Sequence, residues 1–253
     1  MPDYKGKFVW YELMTSNMQA AERFYHSVLG WTAKSAGMPD MDYTLFSAGD
    51  RQVAGMMGQP APGAHPGWLG YVAVEDVDAS AAQVKQAGGA VHHEPSDIPG
   101  VGRFAVIADP HGAAIALFKG ASEGPPPVAQ GTPGHTGWHE LHAGNLEQDF
   151  AFYAKLFGWT KSDAMDMGEM GVYQLFEIQG TQSGGMMTKM AATPMPHWLY
   201  YFAVADIDGA LALVKSGGGQ VLNGPVQVPG GSWIIQALDP QGAAFALVGQ
   251  RKV

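Results

Sequence analysis

The sequence contains no cysteine, few charged residues and no long apolar run. Without cysteine the chain can form neither a disulfide nor a zinc–thiolate site, which fits a reducing compartment. No apolar stretch approaches the roughly 18 residues that a membrane span requires. The amino terminus also lacks the basic and apolar regions of a signal peptide. We therefore expect a cytoplasmic protein that has no membrane partner.

Charged residues make up only 15% of the chain and are mainly acidic, with a formal net charge of −9. The lysines and arginines are scattered along the sequence rather than clustered. Because phosphate backbones repel such a surface, nucleic acid is not an expected partner. The negative charge either keeps the protein soluble or attracts a cationic ligand, and the sequence leaves both interpretations open.

Several short motifs occur twice along the chain. Trp10-Tyr11-Glu12-Leu13 returns as Trp138-His139-Glu140-Leu141. In the same order, a Phe-Tyr pair at 24–25 returns at 152–153, and an Asp-Pro-x-Gly motif at 109–112 returns at 239–242. A period this long exceeds those of solenoids and propellers, so each copy should hold a core of its own.

A stretch rich in proline and glycine separates the two copies. It includes Pro125-Pro126-Pro127 and has no periodic apolar residues, which indicates an extended linker. We predict a first domain over 1–119, a linker over 120–136 and a second domain over 137–253. We expect these domains to pack side by side as an intrachain pseudo-dimer, and the whole chain to be a monomer.

Each copy shows the pattern of a strand, a helix and several strands, repeated once. In the first copy, an apolar stripe predicts a helix that begins at a Ser16 N-cap and ends at Gly30. Asn145 and Gly158 are the corresponding signals in the second copy. An Asp-Pro-x-Gly turn precedes the last strand of each copy. The chain therefore contains four βαβββ modules in an α+β fold.

The order and duplication of these motifs resemble the vicinal oxygen chelate superfamily. That superfamily includes glyoxalase I, extradiol dioxygenases and bleomycin-resistance proteins. The likeness covers residues 7–119 and 137–249, and it implies tandem domains whose modules form cupped mixed sheets. The Trp-x-Glu-Leu opening is similar to that of two-domain glyoxalase-like proteins of actinobacteria and proteobacteria. A shared fold does not by itself imply the lyase reaction of glyoxalase I.

Metal-dependent members of this superfamily carry their ligands on the inward faces of particular strands. The resemblance places these positions at Trp10, Leu69 and Ala116 in the first copy and at Trp138, Leu199 and Ala246 in the second. None of these side chains can bind a metal, because a hard or borderline divalent ion requires oxygen or imidazole donors. A fourth position, near Gly55-Met56 and Gly185-Met186, also lacks a suitable donor. The resemblance thus implies that the metal centre is lost in both copies, and we expect no cofactor.

A different metal site could start from Glu140 and His142, which share one face of a strand while His139 points to the other. Two donors are not sufficient, and no third donor is apparent at the positions that the resemblance assigns to metal ligands. In the first copy the matching residues are Glu12 and Met14.

Glu12 and Glu140 are the candidate catalytic residues. Burial disfavours a charged carboxylate, so an inward glutamate among Met and aromatic residues could accept or donate a proton. It could equally anchor a ligand amine or hydroxyl, or satisfy backbone amides. The candidate ligand-binding residues are Trp10, Met14, Met56, Tyr71 and Phe118 in the first copy, and Trp138, His142, Met186 and Tyr201 in the second.

The leading hypothesis is a metal-independent protein of the glyoxalase and bleomycin-resistance type that binds a small apolar or cationic molecule. One alternative is an enzyme, either a glyoxalase-like lyase or a hydroxylase or dioxygenase. It would use a metal at Glu140 and His142, or acid–base chemistry at Glu12 and Glu140. Another alternative is a protein-interaction or immunogenic module with an idle cup. Metal content would separate the first two, and a cup filled by its own side chains would favour the third.

Overall fold

The computed structural model describes residues 4–38, 41–61 and 63–252, so the predicted domain ends at residues 1 and 253 lie outside it. Over these ranges the chain forms four α-helices, sixteen β-strands and one short 3-10 turn at Gly168–Met170. The helices are α1 (Met18–Leu29), α2 (Val77–Gln86), α3 (Leu146–Phe157) and α4 (Ile207–Ser216).

The strands repeat between the two copies in number and order. The first copy contains β1 (Phe8–Thr15), β2 (Thr32–Ser35), β3 (Tyr43–Ala48), β4 (Arg51–Gly58), β5 (Gly67–Ala73), β6 (Ala90–Ile98), β7 (Gly102–Ala108) and β8 (Ala114–Gly120). The second contains β9 (Thr136–Ala143), β10 (Thr160–Asp166), β11 (Val172–Ile178), β12 (Thr181–Thr188), β13 (His197–Val204), β14 (Gln220–Gln227), β15 (Trp233–Leu238) and β16 (Ala244–Gly249).

Helix α1 begins one residue later than the sequence predicts. Its N-cap is Asn17 rather than Ser16, because Asn17 has extended backbone angles and its side chain accepts the N–H of Ala20. In α3 the predicted cap is confirmed, since Asn145 accepts the N–H of Gln148. Both helices end at a glycine in the left-handed conformation, Gly30 with φ of 70° and Gly158 with φ of 77°.

The strands form two eight-stranded mixed sheets. Their orders are β2-β3-β4-β1-β5-β8-β7-β6 and β10-β11-β12-β9-β13-β16-β15-β14. The first strand of a module runs parallel to its last, as in β1 with β4 and β5 with β8, while the later strands of each module are antiparallel neighbours. This pattern confirms the four βαβββ modules of an α+β fold.

Packing divides the chain into two compact units that do not follow the two copies. Unit one comprises the described residues of 4–9, 69–127 and 139–198. Unit two comprises those of 10–68, 128–138 and 199–252. Each unit thus combines a module from the first copy with a module from the second, and the predicted domains 1–119 and 137–253 each contribute to both units.

The repeated motifs explain this arrangement. In unit two, α1 packs on α4, and Tyr25 Oη donates to Asp239 Oδ2 at 3.1 Å while it accepts from Trp68 Nε1 at 2.9 Å. In unit one, α2 packs on α3, and Tyr153 makes the equivalent bonds to Asp109 and Trp198 at 3.1 and 3.0 Å. The Phe-Tyr motif of one copy therefore contacts the Asp-Pro-x-Gly turn of the other.

Within the described residues, no helix has the length and apolar character needed to cross a membrane.

Candidate ligand site

A buried glutamate on β9 forms the centre of the candidate site in unit one. The side chain of Glu140 lies among β9, β11 and β12, and the residue is only 7% exposed. Its Oε2 accepts a hydrogen bond of 2.9 Å from Tyr173 Oη, and its Oε1 lies 2.9 Å from His142 Nε2. Tyr173 is also buried. Both carboxylate oxygens are therefore engaged by side chains that the strand register brings to the same face.

The same pair recurs in unit two. Glu12 on β1 is 8% exposed, and the hydroxyl of Tyr43 hydrogen-bonds to its carboxylate. Tyr43 Oη in turn accepts from Trp10 Nε1 at 3.1 Å. Burial, followed by the charge of Glu12, holds the pKa of Tyr43 well above its usual range, so its hydroxyl stays protonated and donates to Glu12.

A glycine opposite each glutamate makes room for the tyrosine ring. Gly185 is the register partner of Glu140, and a Cβ at this position would lie 2.2 Å from the ring of Tyr173. Gly55 is the partner of Glu12, and a Cβ there would lie 1.9 Å from Tyr43 Oη. Any side chain larger than hydrogen would therefore displace the tyrosine in either unit.

His142 distinguishes the site of unit one from that of unit two. Its side chain is 16% exposed, and its Nδ1 is buried without a hydrogen-bond partner. The imidazole ring stacks on that of His197, with centroids 4.7 Å apart and planes within 5° of parallel. The pKa of His197 is lowered, first by burial and then by the neighbouring His142. In unit two the equivalent position holds Met14.

The strand register decides which methionines share a face with the glutamates. Met187 lies opposite His142, and Met57 lies opposite Met14, so both belong to the glutamate faces. Met56 and Met186, which the sequence suggests as ligand-binding residues, alternate to the other face and are fully buried. The structure therefore does not bring Met56 or Met186 together with Glu12 or Glu140.

The other predicted aromatic residues lie on β5, β8, β9 and β13. In unit one the rings of Tyr71 and Phe118 meet edge to face, with centroids 6.2 Å apart. In unit two Trp138 packs on a buried cluster of Leu199, Tyr201 and Ala246. Gln236 Nε2 donates to Tyr201 Oη at 2.7 Å, so that hydroxyl is engaged within its own unit.

The positions that the resemblance assigns to metal ligands do not fit a metal. Leu69 and Ala116 are buried, and Leu199 and Ala246 belong to an apolar cluster, so these side chains offer no lone pair to a cation. Over residues 4–38, 41–61 and 63–252, no group of three or more His, Cys, Asp or Glu side chains is placed to hold a metal ion. Glu140 and His142 are adjacent, but they lack a third donor of this kind.

Two shallow cavities lie away from the glutamate faces. One, of about 200 Å³, lies in unit one beside the N-terminus of α2, where Lys5 pairs with Glu75. The other, of about 270 Å³, lies in unit two beside Phe24 and Pro240. Neither cavity contains a residue of the two Glu–Tyr pairs.

Sequence reasoning missed the tyrosine partners of both glutamates and the stacked His197. A signal for the tyrosines was present, because Tyr43-Thr44-Leu45-Phe46 and Tyr173-Gln174-Leu175-Phe176 are repeated segments. Only the pairing of β3 with β4 and of β11 with β12 shows that these tyrosines reach the glutamate of a neighbouring strand.

The sequence model of the Glyoxalase/Bleomycin resistance protein/Dioxygenase superfamily matches residues 7–117 and 132–247. The chain belongs to this superfamily. Among curated relatives of this chain, the "Anthracycline biosynthesis protein DauV" of Streptomyces sp. (strain C5) is 34% identical over 267 residues, covering 98% of this chain and 94% of that protein. The "Putative glyoxylase CFP32" of Mycobacterium tuberculosis (strain CDC 1551 / Oshkosh) is 33% identical over 252 residues, covering 94% and 93%.

Two solved structures share the fold of this chain at low sequence identity. The Mn(II)-bound glyoxalase from Novosphingobium aromaticivorans matches with a TM-score of 0.65 and 18% identity, over 98% of this chain and 83% of that one. The 2,3-dioxygenase LapB from Pseudomonas sp. KL28 matches with a TM-score of 0.66 and 14% identity, over 96% and 91%. At this identity the likeness establishes the fold alone.

Proposed function

We propose that this superfamily member binds a small apolar or cationic molecule at the glutamate face of its sheets, without the metal centre of metal-dependent members. The observation that carries the proposal is the repeated contact of a buried glutamate with a tyrosine, Glu140 with Tyr173 and Glu12 with Tyr43. A carboxylate can accept several hydrogen bonds, and a buried carboxylate within an apolar face is suited to anchor a ligand amine or hydroxyl.

The surroundings of each pair support an apolar ligand body. Met57 and Met14 accompany Glu12, and Met187 accompanies Glu140. Methionine adapts its shape to apolar partners, and each carboxylate then provides one polar anchor within an apolar face. The Leu and Ala side chains at the family's metal positions support binding without a metal.

The names of the relatives suggest which ligands to test first. One is named an anthracycline biosynthesis protein and another a glyoxylase, and each covers nearly the whole chain. Anthracyclines and other fused aromatic compounds, with and without an amine, are therefore the first class to screen.

Two measurements test the proposal. Elemental analysis of protein purified without added metal should find far less than one divalent ion per chain, and stoichiometric Zn, Ni, Fe, Mn or Co would overturn the metal-free proposal. Calorimetric titration with the aromatic panel should find a ligand that Glu12→Gln or Glu140→Gln weakens. For a cationic ligand we expect a loss of roughly ten- to a hundredfold, since hydrogen bonds to charged groups contribute about 1.5 to 3 kcal/mol.

The exposed Glu22 on α1 provides a matched control. Glu22→Gln removes the same charge from the surface of unit two and should leave the affinity unchanged. If Glu22→Gln weakened ligand binding as much as Glu12→Gln, the effect would come from net charge and not from the site.

We also propose that the chain acts as a monomer. Light scattering on the protein as it elutes from a size-exclusion column would test this.

A further inference from the structure

The contact between Glu140 and His142 determines which nitrogen of the histidine carries the proton. An ionised carboxylate only accepts hydrogen bonds, and Glu140 Oε1 lies 2.9 Å from His142 Nε2. With Glu140 Oε1 as the acceptor of this contact, Nε2 carries the hydrogen. In a neutral imidazole the other nitrogen, Nδ1, is then an acceptor with a free lone pair.

This acceptor is buried and has no partner in the protein. His142 Nδ1 is one of few buried side-chain atoms among the described residues that lack a hydrogen bond. Buried polar atoms are rarely left unpaired in native proteins, because their desolvation is then uncompensated. The fold does not require a polar group here, since Met14 occupies the same place on the equivalent strand of unit two. The fold can therefore pack without a polar atom at this position.

The neighbours of His142 favour a neutral ligand group. Its ring stacks on His197, whose pKa is lowered by burial and by His142 itself. Glu140, which contacts His142 Nε2, also accepts a hydrogen bond from Tyr173. Met187 lies opposite His142 in the strand register and is apolar. The Glu140 carboxylate contacts the other ring nitrogen, so a cation at Nδ1 would be buried against imidazole rings and a methionine, which would be costly.

We propose that His142 Nδ1 accepts a hydrogen bond from a ligand hydroxyl, so that the ligand of unit one is an apolar molecule with a weakly acidic hydroxyl group, such as a phenol or an enol. Glu140 is a positioning residue in this arrangement, because it holds the histidine in the tautomer whose Nδ1 is an acceptor. Unit two lacks the acceptor and does not select for the hydroxyl. This inference rests on the proposed binding function and narrows it.

Two matched probes test the inference. 1-Naphthol carries the hydroxyl, and 1-methoxynaphthalene has the same ring system without a donor. Calorimetry should show that His142→Met, which installs the residue of the other copy, weakens 1-naphthol about tenfold and leaves 1-methoxynaphthalene unchanged. The exposed His92 provides the control, because His92→Met makes the same substitution outside the site and should change neither affinity.

Nitrogen-15 spectra of the histidine rings give a readout that needs no ligand. In the unliganded protein, His142 should carry a proton on Nε2 and none on Nδ1, and titration with 1-naphthol should shift its Nδ1 resonance. In Glu140→Gln, the amide oxygen can accept from Tyr173 while the amide nitrogen donates to His142 Nε2. The proton of His142 should then move to Nδ1, and the preference for 1-naphthol should be lost.

The outcomes separate this inference from the proposed function. Failure of the whole aromatic panel to bind would overturn both. If both naphthalene probes bind but His142→Met weakens them equally or not at all, the inference fails while the binding function stands. A proton on Nδ1 of wild-type His142 would also overturn the inference. A preference of this site for aromatic amines over 1-naphthol would overturn the hydroxyl assignment.

Discussion

Tyr25 Oη donates a hydrogen bond of 3.1 Å to Asp239 Oδ2, although 214 residues separate them in the chain. Tyr153 and Asp109 repeat this contact at 3.1 Å in the other unit. Each tyrosine also accepts a bond from a buried tryptophan, Trp68 or Trp198. Around each of these tyrosines, the core of the unit is therefore formed by side chains of both copies.

Loss of either tyrosine hydroxyl should destabilise the protein. Tyr25→Phe leaves both the buried Asp239 and the indole N–H of Trp68 without this partner, and Tyr153→Phe has the same effect on Asp109 and Trp198. We expect each substitution to lower the free energy of unfolding by about 1 to 3 kcal/mol, measured by urea denaturation. Tyr4→Phe is the control, because its hydroxyl bonds to an exposed carbonyl. Equal effects at positions 4 and 25 would contradict the prediction.

Acid should weaken the fold partly through His139. Burial lowers the pKa of His139 from 6.5 to about 4, while its Nδ1–H donates to Ser183 O and its ring stacks on Phe8. Because the unfolded chain binds the proton more readily, stability from this group is present above pH 6.5 and is lost as the pH falls toward 4. The loss should be about 2 kcal/mol, allowing for the ring being only partly buried.

Urea denaturation between pH 7 and pH 4 measures this effect. His139→Gln keeps a donor for Ser183 O but does not titrate, so its stability should fall less over this range than that of the wild type. Parallel pH profiles for the two proteins would show that His139 does not titrate in the way its burial indicates.

The glycine opposite Glu12 should be intolerant of a side chain. In Gly55→Ala the new Cβ would overlap Tyr43 Oη, so the tyrosine must leave the glutamate or the strands must separate. We expect a loss of about 1 to 3 kcal/mol of stability, together with weaker ligand binding in unit two. Gly58 on the same strand is exposed, and a Cβ there meets no atom within 4 Å, so Gly58→Ala should change stability by less than about 0.5 kcal/mol. A Gly55→Ala protein as stable as Gly58→Ala would refute the packing argument.

His111 should stabilise unit one by satisfying a buried carboxylate. Asp149 is fully buried, and its Oδ1 lies 2.6 Å from His111 Nδ1 while its Oδ2 accepts the N–H groups of Gly144 and Asn145. Removing the side chain in His111→Ala should cost about 1 to 3 kcal/mol, measured by urea denaturation. His111→Gln introduces the residue of the second copy, Gln241, whose amide can still donate to Asp149, and it should restore part of the loss. An alanine variant no less stable than the glutamine variant would argue against this role.

Local features were the ones that sequence reasoning could predict. The apolar stripe and the glycines placed α1 and α3, and the Asp-Pro-x-Gly turn placed β8, because these signals depend on residues a few positions apart. Ser16 was wrong as the N-cap of α1. Comparison of the copies would have favoured Asn17, since it aligns with Asn145.

The candidate site could be predicted only in part. Alternation along a strand places Glu140 and His142 on one face from sequence alone. It does not show which tyrosine reaches Glu140 or which methionine of the Met186-Met187 pair lies beside it. These depend on the register between β9, β11 and β12, where a shift of one residue exchanges the two faces.

The sequence by itself determined the four modules, their order and their secondary structure, because each rests on short-range periodicity and turn chemistry. Only the tertiary structure decided how the modules combine. The apolar faces of α1 and α4 are buried together in one unit, and those of α2 and α3 are buried together in the other. Tyr25 therefore donates its hydrogen bond to Asp239 and not to Asp109 of its own copy. A sequence pattern shows which faces need burial, whereas the partner that covers each face is chosen by packing in three dimensions.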